Sequence, residues 1–394
     1  MSGELNRSIH PVPDHSQAEQ RPELAITPGG IPAVEAGDTR MQGAPELRHE
    51  NISGFAMSGD VTIREAWVQA SSFLERCGIG EAPWSAELLL QHLLDWDRTT
   101  LYLQWHERFP AGLAESWERL LNRRASGEPV QYLIGRQEFY GLSFEVTPAV
   151  LIPRPETELL VERILFHGQR MWPEAGQQAG AATQQKPLAN AAAEEGIFGD
   201  TGDLEEDTTS GRVRSAGILP GGPAVADVGT GSGAIPVTLA VHRPDWIVRS
   251  SDISADALAV ARRNAALNGV AERVELLQGD LLEPYIRDGL PVDILVSNPP
   301  YIPSADIEEL QTEVRDFEPR SALDGGADGL DLYRRMLGQI SGLIAVPRLV
   351  GFEVGQGQAQ AVAALLRKLG YWDEIEVIPD LAGIERHVLA IREK

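Results

Sequence analysis

From residue 223 to the C-terminus, short apolar runs alternate with patterns of helical spacing. The runs that predict strands cover residues 223–228, 247–253, 274–279, 293–297, 349–354, 374–378 and 387–391. Helices are predicted over residues 234–241, 255–268, 330–344 and 358–369. Such alternation predicts a mostly parallel sheet with helices on both faces. Ligands of such sheets bind at the carboxyl ends of the strands, so functional side chains are expected there.

The N-terminal part of the chain divides into regions by composition and pattern. Residues 1–58 are rich in Pro, Gly, Glu and Ser without sustained periodicity, which is typical of a disordered extension. Residues 59–127 carry apolar side chains at helical spacing and predict a small helical domain. Residues 128–155 are expected to form a β-hairpin linker, built from the alternation over 142–146 and the run 150–152.

The remainder, residues 156–394, is predicted to be one domain with an insertion. A helix is expected to begin after Pro155, with Glu156 and Glu158 in its first turn. Residues 167–222 contain stretches such as QQAGAATQQ and DLEEDTTSG, which are typical of a low-complexity linker. We therefore expect this segment to interrupt the domain without adding an element of the fold.

Charge and cysteine content exclude several classes of protein. The formal net charge is -24, and the chain stays acidic when the two low-complexity regions are set aside, which disfavours a protein that binds nucleic acid through its phosphates. Cys77 is the single cysteine, so an internal disulfide and a cysteine-based metal cluster are both impossible. No metal site and no membrane span are predicted, and a cytoplasmic location is expected.

A glycine-rich turn follows the first predicted strand and opens a helix. Its sequence runs from Asp227 through Gly229, Thr230, Gly231 and Ser232 to Gly233. Glycines allow a tight turn and a close approach by a ligand, while the helix N-terminus offers free N–H groups. The motif alone also satisfies the dinucleotide pattern, and a turn without any ligand stays possible.

Two acidic residues end the next strands and make a nucleoside-bearing cofactor the favoured ligand. Asp252 ends the second strand, where its carboxylate could accept hydrogen bonds from both ribose hydroxyls. Asp280 ends the third strand and is followed by Leu281. This pair could accept from an exocyclic amine and pack against an adenine face, although a solvated Asp that caps a loop is equally compatible.

The fourth strand ends in the sequence Asn298-Pro299-Pro300-Tyr301. Proline lacks an N–H group and has a fixed φ, so this loop presents the Asn298 side-chain oxygen and the Pro299 carbonyl without competing donors. Tyr301 adds a flat face against which a planar group could lie. These features predict a site for an NH₂ group on a planar amide or base, whose nitrogen would gain nucleophilicity when two acceptors draw on its N–H bonds.

The motifs DVGTGSGA, SSDIS, LLQGDLLEP and SNPPYI together resemble those of S-adenosylmethionine-dependent N5-glutamine methyltransferases. A closer resemblance, to the release-factor glutamine methyltransferases of the HemK/PrmC family, is carried by GEPVQYLIGRQEFYGLSFEV, VLIPRPETE, FEPRSALDGGADGLDLYRRM, FEVGQGQA and DLAGIERHV. It covers about residues 59–166 and 223–394. It implies a seven-stranded, mostly parallel, Rossmann-like α/β methyltransferase sheet with a small N-terminal helical domain.

The resemblance also implies roles for individual residues. The residues expected to bind S-adenosylmethionine are Asp227, Gly229, Thr230, Gly231, Ser232, Gly233, Asp252, Asp280, Leu281 and Asn298. The residues expected to bind the substrate are Asn298, Pro299, Pro300 and Tyr301, and catalysis is assigned to Asn298, Pro299 and Tyr301. Arg154, Glu156 and Thr157 lie in the family's loop near the active site without assigned roles.

The implied reaction is methyl transfer to the side-chain amide nitrogen of the glutamine in the GGQ loop of class 1 peptide-chain release factors. The helical domain is expected to recognise this protein substrate, and a monomer without a direct nucleic-acid substrate is expected. Two alternatives share the Asn-Pro-Pro-Tyr pocket. One is an adenine-N6 methyltransferase acting on nucleic acid, and the other is a glutamine methyltransferase acting on a ribosomal protein.

Overall fold

The structure, a computed structural model, describes residues 54–173 and 221–393 of the chain. The expected N-terminal extension, up to residue 53, and the expected insertion, from residue 174 to 220, lie outside the described residues. Within the described ranges, no helix combines the length and the apolar character that a membrane crossing requires.

The helical region comprises α1 (Ile63–Arg76), α2 (Ala82–Leu94), α3 (Arg98–Leu103), α4 (Ala114–Ala125) and α5 (Val130–Ile134). Thr62 begins α1 through a capping box, because its side chain accepts from the N–H of Glu65 while the Glu65 carboxylate accepts from the N–H of Thr62. The helices bury one apolar core, whose largest side chain is Trp117.

This helical core extends past both boundaries expected from sequence. Phe55 is buried in it, and its backbone N–H donates to Asn122 at 2.7 Å, so the residues just before 59 belong to the folded unit. Val130 and Leu133 of α5 are buried in the same core. Helix α5 therefore packs with the helical domain, although the sequence placed it in the hairpin linker.

A two-stranded hairpin follows α5, with β1 at Arg136–Phe139 and β2 at Leu142–Glu145 paired antiparallel. The expectation that residues 150–152 form the second strand is wrong. Val150 and Ile152 are instead buried in a small cluster that includes Tyr132 and Val146. The apolar run at 150–152 therefore reflects burial rather than strand pairing.

Helix α6 (Pro155–Met171) begins at the predicted proline. It extends to Met171, so the first residues assigned to the insertion at 167 are helical. Leu160, Val161 and Ile164 are buried in the core of the main domain, and His167 and Gly168 are buried as well, so packing continues beyond the point at which the sequence pattern weakens.

The main domain confirms the predicted seven-stranded, mostly parallel α/β sheet. Its elements are β3 (Ala224–Val228), α7 (Ala234–His242), β4 (Ile247–Asp252), α8 (Ala255–Leu267), β5 (Val274–Gln278), α9 (Glu283–Arg287), β6 (Ile294–Ser297), α10 (Thr312–Arg315), α11 (Asp331–Gln339), β7 (Leu349–Glu353), α12 (Ala359–Leu369), β8 (Glu374–Pro379) and β9 (Glu385–Ile391). The strand order is β5-β4-β3-β6-β7-β9-β8, with β9 antiparallel to both of its neighbours.

Alternate residues of the central strands enter two separate apolar cores. Val225 of β3 and Ile294 of β6 face the core formed with α6, α7 and α8. Ala226 and Leu295 face the opposite core, which α11 and α12 cover. After β3 the chain adds β4 and β5 on one side and then crosses to β6 on the other, so a crevice opens between the carboxyl ends of β3 and β6.

Candidate functional site

A cavity of about 340 Å³ lies at the carboxyl ends of the central strands. Predicted site residues that line it are Gly229, Thr230, Gly231, Ser232, Asp252, Asp280, Leu281, Asn298 and Pro300. Asp227, Gly233, Pro299 and Tyr301 are not among its lining residues. The structure thus brings most of the predicted residues to one cavity, and the other four are not part of its lining.

The glycine turn forms one wall of the cavity, and its glycines serve different purposes. Gly229, Gly231 and Gly233 all have positive φ, which favours glycine. A Cβ atom on Gly229 or Gly231 would meet no protein atom within 4 Å, whereas a Cβ on Gly233 would lie 3.1 Å from the Cβ of Ala261 in α8. Gly233 therefore permits helix packing, while the first two glycines leave room for a ligand.

Asp227 lies beneath this turn and is fully buried. Its carboxylate accepts a hydrogen bond from the Ser250 hydroxyl at 2.6 Å. Burial, with a smaller contribution from the neighbouring Asp252 carboxylate, raises the pKa of Asp227 to about 7, although the hydrogen bond from Ser250 lowers it. Asp227 therefore does not line the cavity, and its side chain is held by Ser250 of the neighbouring strand.

Asp252 connects the end of β4 to the glycine turn. One carboxylate oxygen accepts from the N–H of Gly231 at 2.9 Å, and the other accepts from the N–H of Ser254 at 2.9 Å. Burial raises the pKa of Asp252, while these N–H groups lower it. Each oxygen retains further acceptor capacity toward the cavity, which suits a ligand with two adjacent hydroxyl groups.

Asp280 and Leu281 lie at the far side of the cavity. The carboxylate of Asp280 is paired with Arg335 of α11, a cavity residue that the sequence analysis did not single out. Leu281 has a φ of 54°, a left-handed conformation that costs about 1–3 kcal/mol for a residue other than glycine. Its carbonyl accepts from the Ser251 hydroxyl at 3.0 Å, which holds this unusual backbone in place.

Asn298 follows β6 directly and lines the same cavity as the glycine turn. The hydroxyl of the preceding Ser297 donates to the Val228 carbonyl at 2.6 Å and ties the ends of β6 and β3 together. The side-chain N–H of Asn298 donates to the Thr157 hydroxyl oxygen at 3.1 Å. Within the described ranges, neither the Asn298 Oδ1 atom nor the Pro299 carbonyl accepts a hydrogen bond, so both acceptors stay available.

The backbone after Asn298 is clamped by two other loops. Gly325 approaches it so closely that an added Cβ would lie 2.8 Å from the Pro300 carbonyl oxygen. A Cβ added to Gly329 would lie 2.2 Å from the Tyr301 carbonyl oxygen. The side chain of Gln358 donates to that Tyr301 carbonyl at 2.8 Å. These contacts give a physical reason for the glycines of DGGADG and the glutamine of FEVGQGQ.

Tyr301 is positioned by packing rather than by its hydroxyl group. Its ring lies close to Gly355, where an added Cβ would be 3.1 Å from the tyrosine Cδ2 atom. It also packs against the core covered by α11 and α12. Burial raises the pKa of the Tyr301 hydroxyl well above its usual range, so the ring is neutral at ordinary pH.

The RPETE loop contributes Arg154 and Thr157 to the cavity wall. The guanidinium of Arg154 is paired with Glu318, a residue of the FEPR segment with 5% exposure. Pro319, Ser321 and Ala322 follow Glu318 and also line the cavity. The ion pair therefore joins the beginning of α6 to the loop that carries these cavity residues.

Sequence reasoning missed four residues that build this site. They are Glu318, Arg335, Glu353 and Gln358. All four lie inside motifs that were noticed only for their family resemblance, namely FEPRSALDGGADGLDLYRRM and FEVGQGQA. Their partners are remote in sequence, so their contacts required the folded structure.

Two protein-family models match the chain. The PrmC N-terminal domain matches residues 65–135, which span most of the helical region. The methyltransferase small domain matches residues 219–314, which include the glycine turn and the Asn-Pro-Pro-Tyr segment. Together they cover the helical region and the part of the sheet that forms the cavity.

Curated relatives match most of the chain and nearly all of their own length. A release factor glutamine methyltransferase from Moorella thermoacetica is 40% identical over 333 residues, covering 84% of this chain and 99% of that protein. The release factor glutamine methyltransferase from Bacillus anthracis is 35% identical, and the match covers 83% of this chain and 98% of that protein. The enzyme of the same name from Bacillus subtilis is 36% identical, and the match covers 84% of this chain and 99% of that protein. The chain belongs to the release factor glutamine methyltransferase family.

Proposed function

We propose that the protein transfers a methyl group from S-adenosylmethionine to the side-chain amide nitrogen of the glutamine in the GGQ loop of class 1 release factors. Family membership supports the reaction class. The observation that carries the proposal is that two adjacent acceptors, the Asn298 Oδ1 atom in the cavity wall and the Pro299 carbonyl next to it in sequence, accept no hydrogen bond within residues 54–173 and 221–393. A primary amide has two N–H groups, and two acceptors match it.

The cavity fits the proposed cofactor. Gly229 and Gly231 line it, and a Cβ at either position would enter space that no protein atom fills. Asp252 would hold the ribose hydroxyls, and Leu281 would pack against the adenine. Asp280 would serve the adenine amine while remaining paired with Arg335. When bound, S-adenosylmethionine supplies a methyl group that is already electrophilic because it is attached to a sulfonium.

The protein's own contribution is positioning and polarisation. An amide nitrogen is a poor nucleophile, because its lone pair is delocalised into the carbonyl. When the Asn298 Oδ1 atom and the Pro299 carbonyl accept hydrogen bonds from its two N–H groups, they stabilise the positive charge that develops on the nitrogen as the new bond forms. Holding the amide in one orientation adds the advantage of a unimolecular reaction. The proton can leave the nitrogen late, so no strong base is required at this atom.

The two alternative substrates of an Asn-Pro-Pro-Tyr pocket are less well supported. The net charge of -24 disfavours a site that must hold nucleic-acid phosphates. A ribosomal-protein substrate would use the same pocket, but the curated relatives reported above are release factor enzymes. Weak, salt-insensitive association with DNA or RNA is the expected result for this chain.

The experiment that tests the proposal uses the full chain with S-adenosylmethionine and a purified release factor. We expect mass spectrometry of the peptide containing the GGQ loop to show one added methyl group on glutamine. The matched control is the same release factor with that glutamine replaced by glutamate, which lacks an NH₂ group and should stay unmodified. Methylation of RNA or of a ribosomal protein, with none on the release factor, would contradict the proposal.

A further inference from the structure

A chain of three buried or half-buried polar side chains leads from the middle of the fold to the cavity. Glu353 ends β7 and is 2% exposed. Its Oε2 atom accepts a hydrogen bond from the Thr157 hydroxyl at 2.6 Å. The Thr157 oxygen in turn accepts from the side-chain N–H of Asn298 at 3.1 Å. Thr157 and Glu353 are separated by 196 residues, so the fold alone brings them together.

We infer that Glu353, acting through the hydroxyl of Thr157, fixes the direction in which the Asn298 amide faces the cavity and is a positioning residue for methyl transfer. This inference rests on the proposed function, because the direction matters for a substrate that donates N–H bonds. Neither Glu353 nor Thr157 is required to contact the reacting atoms. Their part is to decide which end of the Asn298 side chain the substrate meets.

The donor hydrogens of the three side chains fix the direction of both hydrogen bonds. An ionised carboxylate has acceptors only, so the single hydroxyl hydrogen of Thr157 is used by Glu353. What Thr157 offers to Asn298 is then a lone pair, which can only accept. The NH₂ end of Asn298 must therefore turn toward Thr157, and the Oδ1 end is left for the cavity. This is the end that can accept from the substrate amide.

Protonation of Glu353 would reverse the donor and acceptor roles in the hydrogen bonds that link Glu353, Thr157 and Asn298. A protonated carboxyl can donate to the Thr157 oxygen, which frees the hydroxyl hydrogen to point at Asn298. The amide would then be favoured in the opposite orientation, with its NH₂ group toward the cavity. Two NH₂ groups cannot form a hydrogen bond with the required polarity, so the substrate amide would lose its acceptor.

The surroundings of Glu353 make such protonation accessible near neutral pH. The pKa of Glu353 is raised to about 7, mainly by burial, against the lowering effects of the Thr157 hydroxyl and the Asn298 side chain. Other titratable or charged groups face it from each neighbouring element. They are Glu156 of α6, Arg386 and His387 of β9, Tyr333 of α11 and Tyr301 of the loop after β6.

Among the residues that the structure describes, Glu353 forms no salt bridge with a cationic side chain. His387 lies opposite Glu353 in the strand pairing, and burial lowers its pKa to about 4, so it is neutral. Glu156 raises the pKa of Glu353, while Arg386 lowers it. The two tyrosines have raised pKa values and are also neutral. Of Glu353, His387 and the two tyrosines, only Glu353 is therefore expected to change its charge near neutral pH.

The test measures the methylation rate in a single turnover, at saturating cofactor and release factor, from pH 5.5 to 9. For the unsubstituted protein we expect the rate to fall about tenfold for each pH unit below the pKa of Glu353. In Glu353→Gln this acid limb should disappear, because the amide has no proton to gain. Equal acid limbs in the two proteins would overturn the inference.

Substitutions of Thr157 test the link itself. Thr157→Val keeps the shape but removes the hydroxyl, and we expect at least a tenfold loss of rate at pH 8 with cofactor affinity within twofold. Thr157→Ser should restore most of the rate. Thr238→Val is the matched control, because Thr238 is buried in α7 and its hydroxyl has no partner among the described residues. Full activity of Thr157→Val would contradict the inference.

A readout that does not depend on methylation separates this inference from the proposed function. The side-chain amide resonances of Asn298 should titrate with Glu353 in the unsubstituted protein and stay constant in Glu353→Gln. If no release factor is methylated but this titration is seen, the proposed function fails while the positioning role stands. If methylation occurs and the resonances do not move with pH in either protein, the positioning role is wrong.

Discussion

The side-chain amide of Gln358 donates a hydrogen bond to the main-chain carbonyl of Tyr301 at 2.8 Å, across 57 residues of sequence. The same side chain accepts from the N–H of Gly355 at 3.0 Å. Gln358 precedes α12 directly, so a rigid element of the main domain holds the last residue of the Asn-Pro-Pro-Tyr segment. The acceptors of the proposed site therefore depend on a clamp that lies outside the cavity.

Replacing Gln358 with methionine should loosen this clamp without removing side-chain volume. We expect a roughly fivefold lower methylation rate, since one hydrogen bond that positions the segment is worth about 1 kcal/mol. Cofactor affinity, measured by calorimetry, should stay within twofold. Gln360→Met is the matched control, because Gln360 is an exposed residue of the same helix. An equal effect of both substitutions would argue against the clamp.

Gly231→Ala tests whether the glycine turn leaves room for the cofactor. Alanine at a positive φ costs about 1–2 kcal/mol of folding free energy. Beyond this cost, we expect a loss of S-adenosylmethionine affinity of at least tenfold, because the new methyl group would enter the space reserved for the ligand.

Gly269→Ala is the control for the backbone cost of that change. Gly269 also has a positive φ of 70°, and an added Cβ there meets no protein atom within 4 Å, but it does not line the cavity. It should lose similar stability in urea unfolding and keep normal cofactor affinity. If the two variants bind the cofactor equally well, the turn does not contact it.

Asp227→Asn should change how stability depends on pH. Because burial raises the folded-state pKa of Asp227 to about 7, its stabilising contribution is complete below the unfolded-state pKa and is lost as pH rises toward 7. Between pH 5 and 8, the free energy of unfolding of the unsubstituted protein should fall relative to the variant by roughly 2–3 kcal/mol. Parallel curves from urea unfolding would show that Asp227 is ionised throughout.

Tyr301 should act through its ring. Tyr301→Phe is expected to keep most of the methylation rate, since the hydroxyl has no hydrogen-bond partner in the described part of the chain. Tyr301→Ala should lower the rate by at least tenfold, because the ring that packs near Gly355 supports the loop bearing Asn298. Similar losses in the two variants would mean that the hydroxyl, and not the ring, is important.

Much of the fold was predictable because buried parallel strands are continuous apolar runs. Residues 293–297 were predicted as a strand, and β6 spans Ile294–Ser297. The site followed from the same pattern, since polar residues at strand ends gather at one edge of a parallel sheet. Strand β1, with the sequence RQEF, was missed because it lacks apolar alternation and pairs through its backbone.

What could not be predicted depends on contacts between distant residues. The hydrogen bond from Thr157 to Glu353 and the ion pair of Arg154 with Glu318 join the RPETE loop to strand β7 and to the FEPR segment. Each residue alone resembles an ordinary polar side chain in a loop or at a strand end. No local pattern indicates that a glutamate ending an apolar strand is buried and hydrogen-bonded to a threonine.

The central claim is that Asn298 polarises the substrate amide. Its most direct test is the single-turnover methylation rate of Asn298→Ala at saturating cofactor and release factor, with the cofactor Kd measured alongside. We predict a loss of at least a hundredfold in rate, the scale for removing one polarising group, and a cofactor Kd raised no more than a few fold. A variant that methylates the GGQ glutamine at the normal rate would contradict the account.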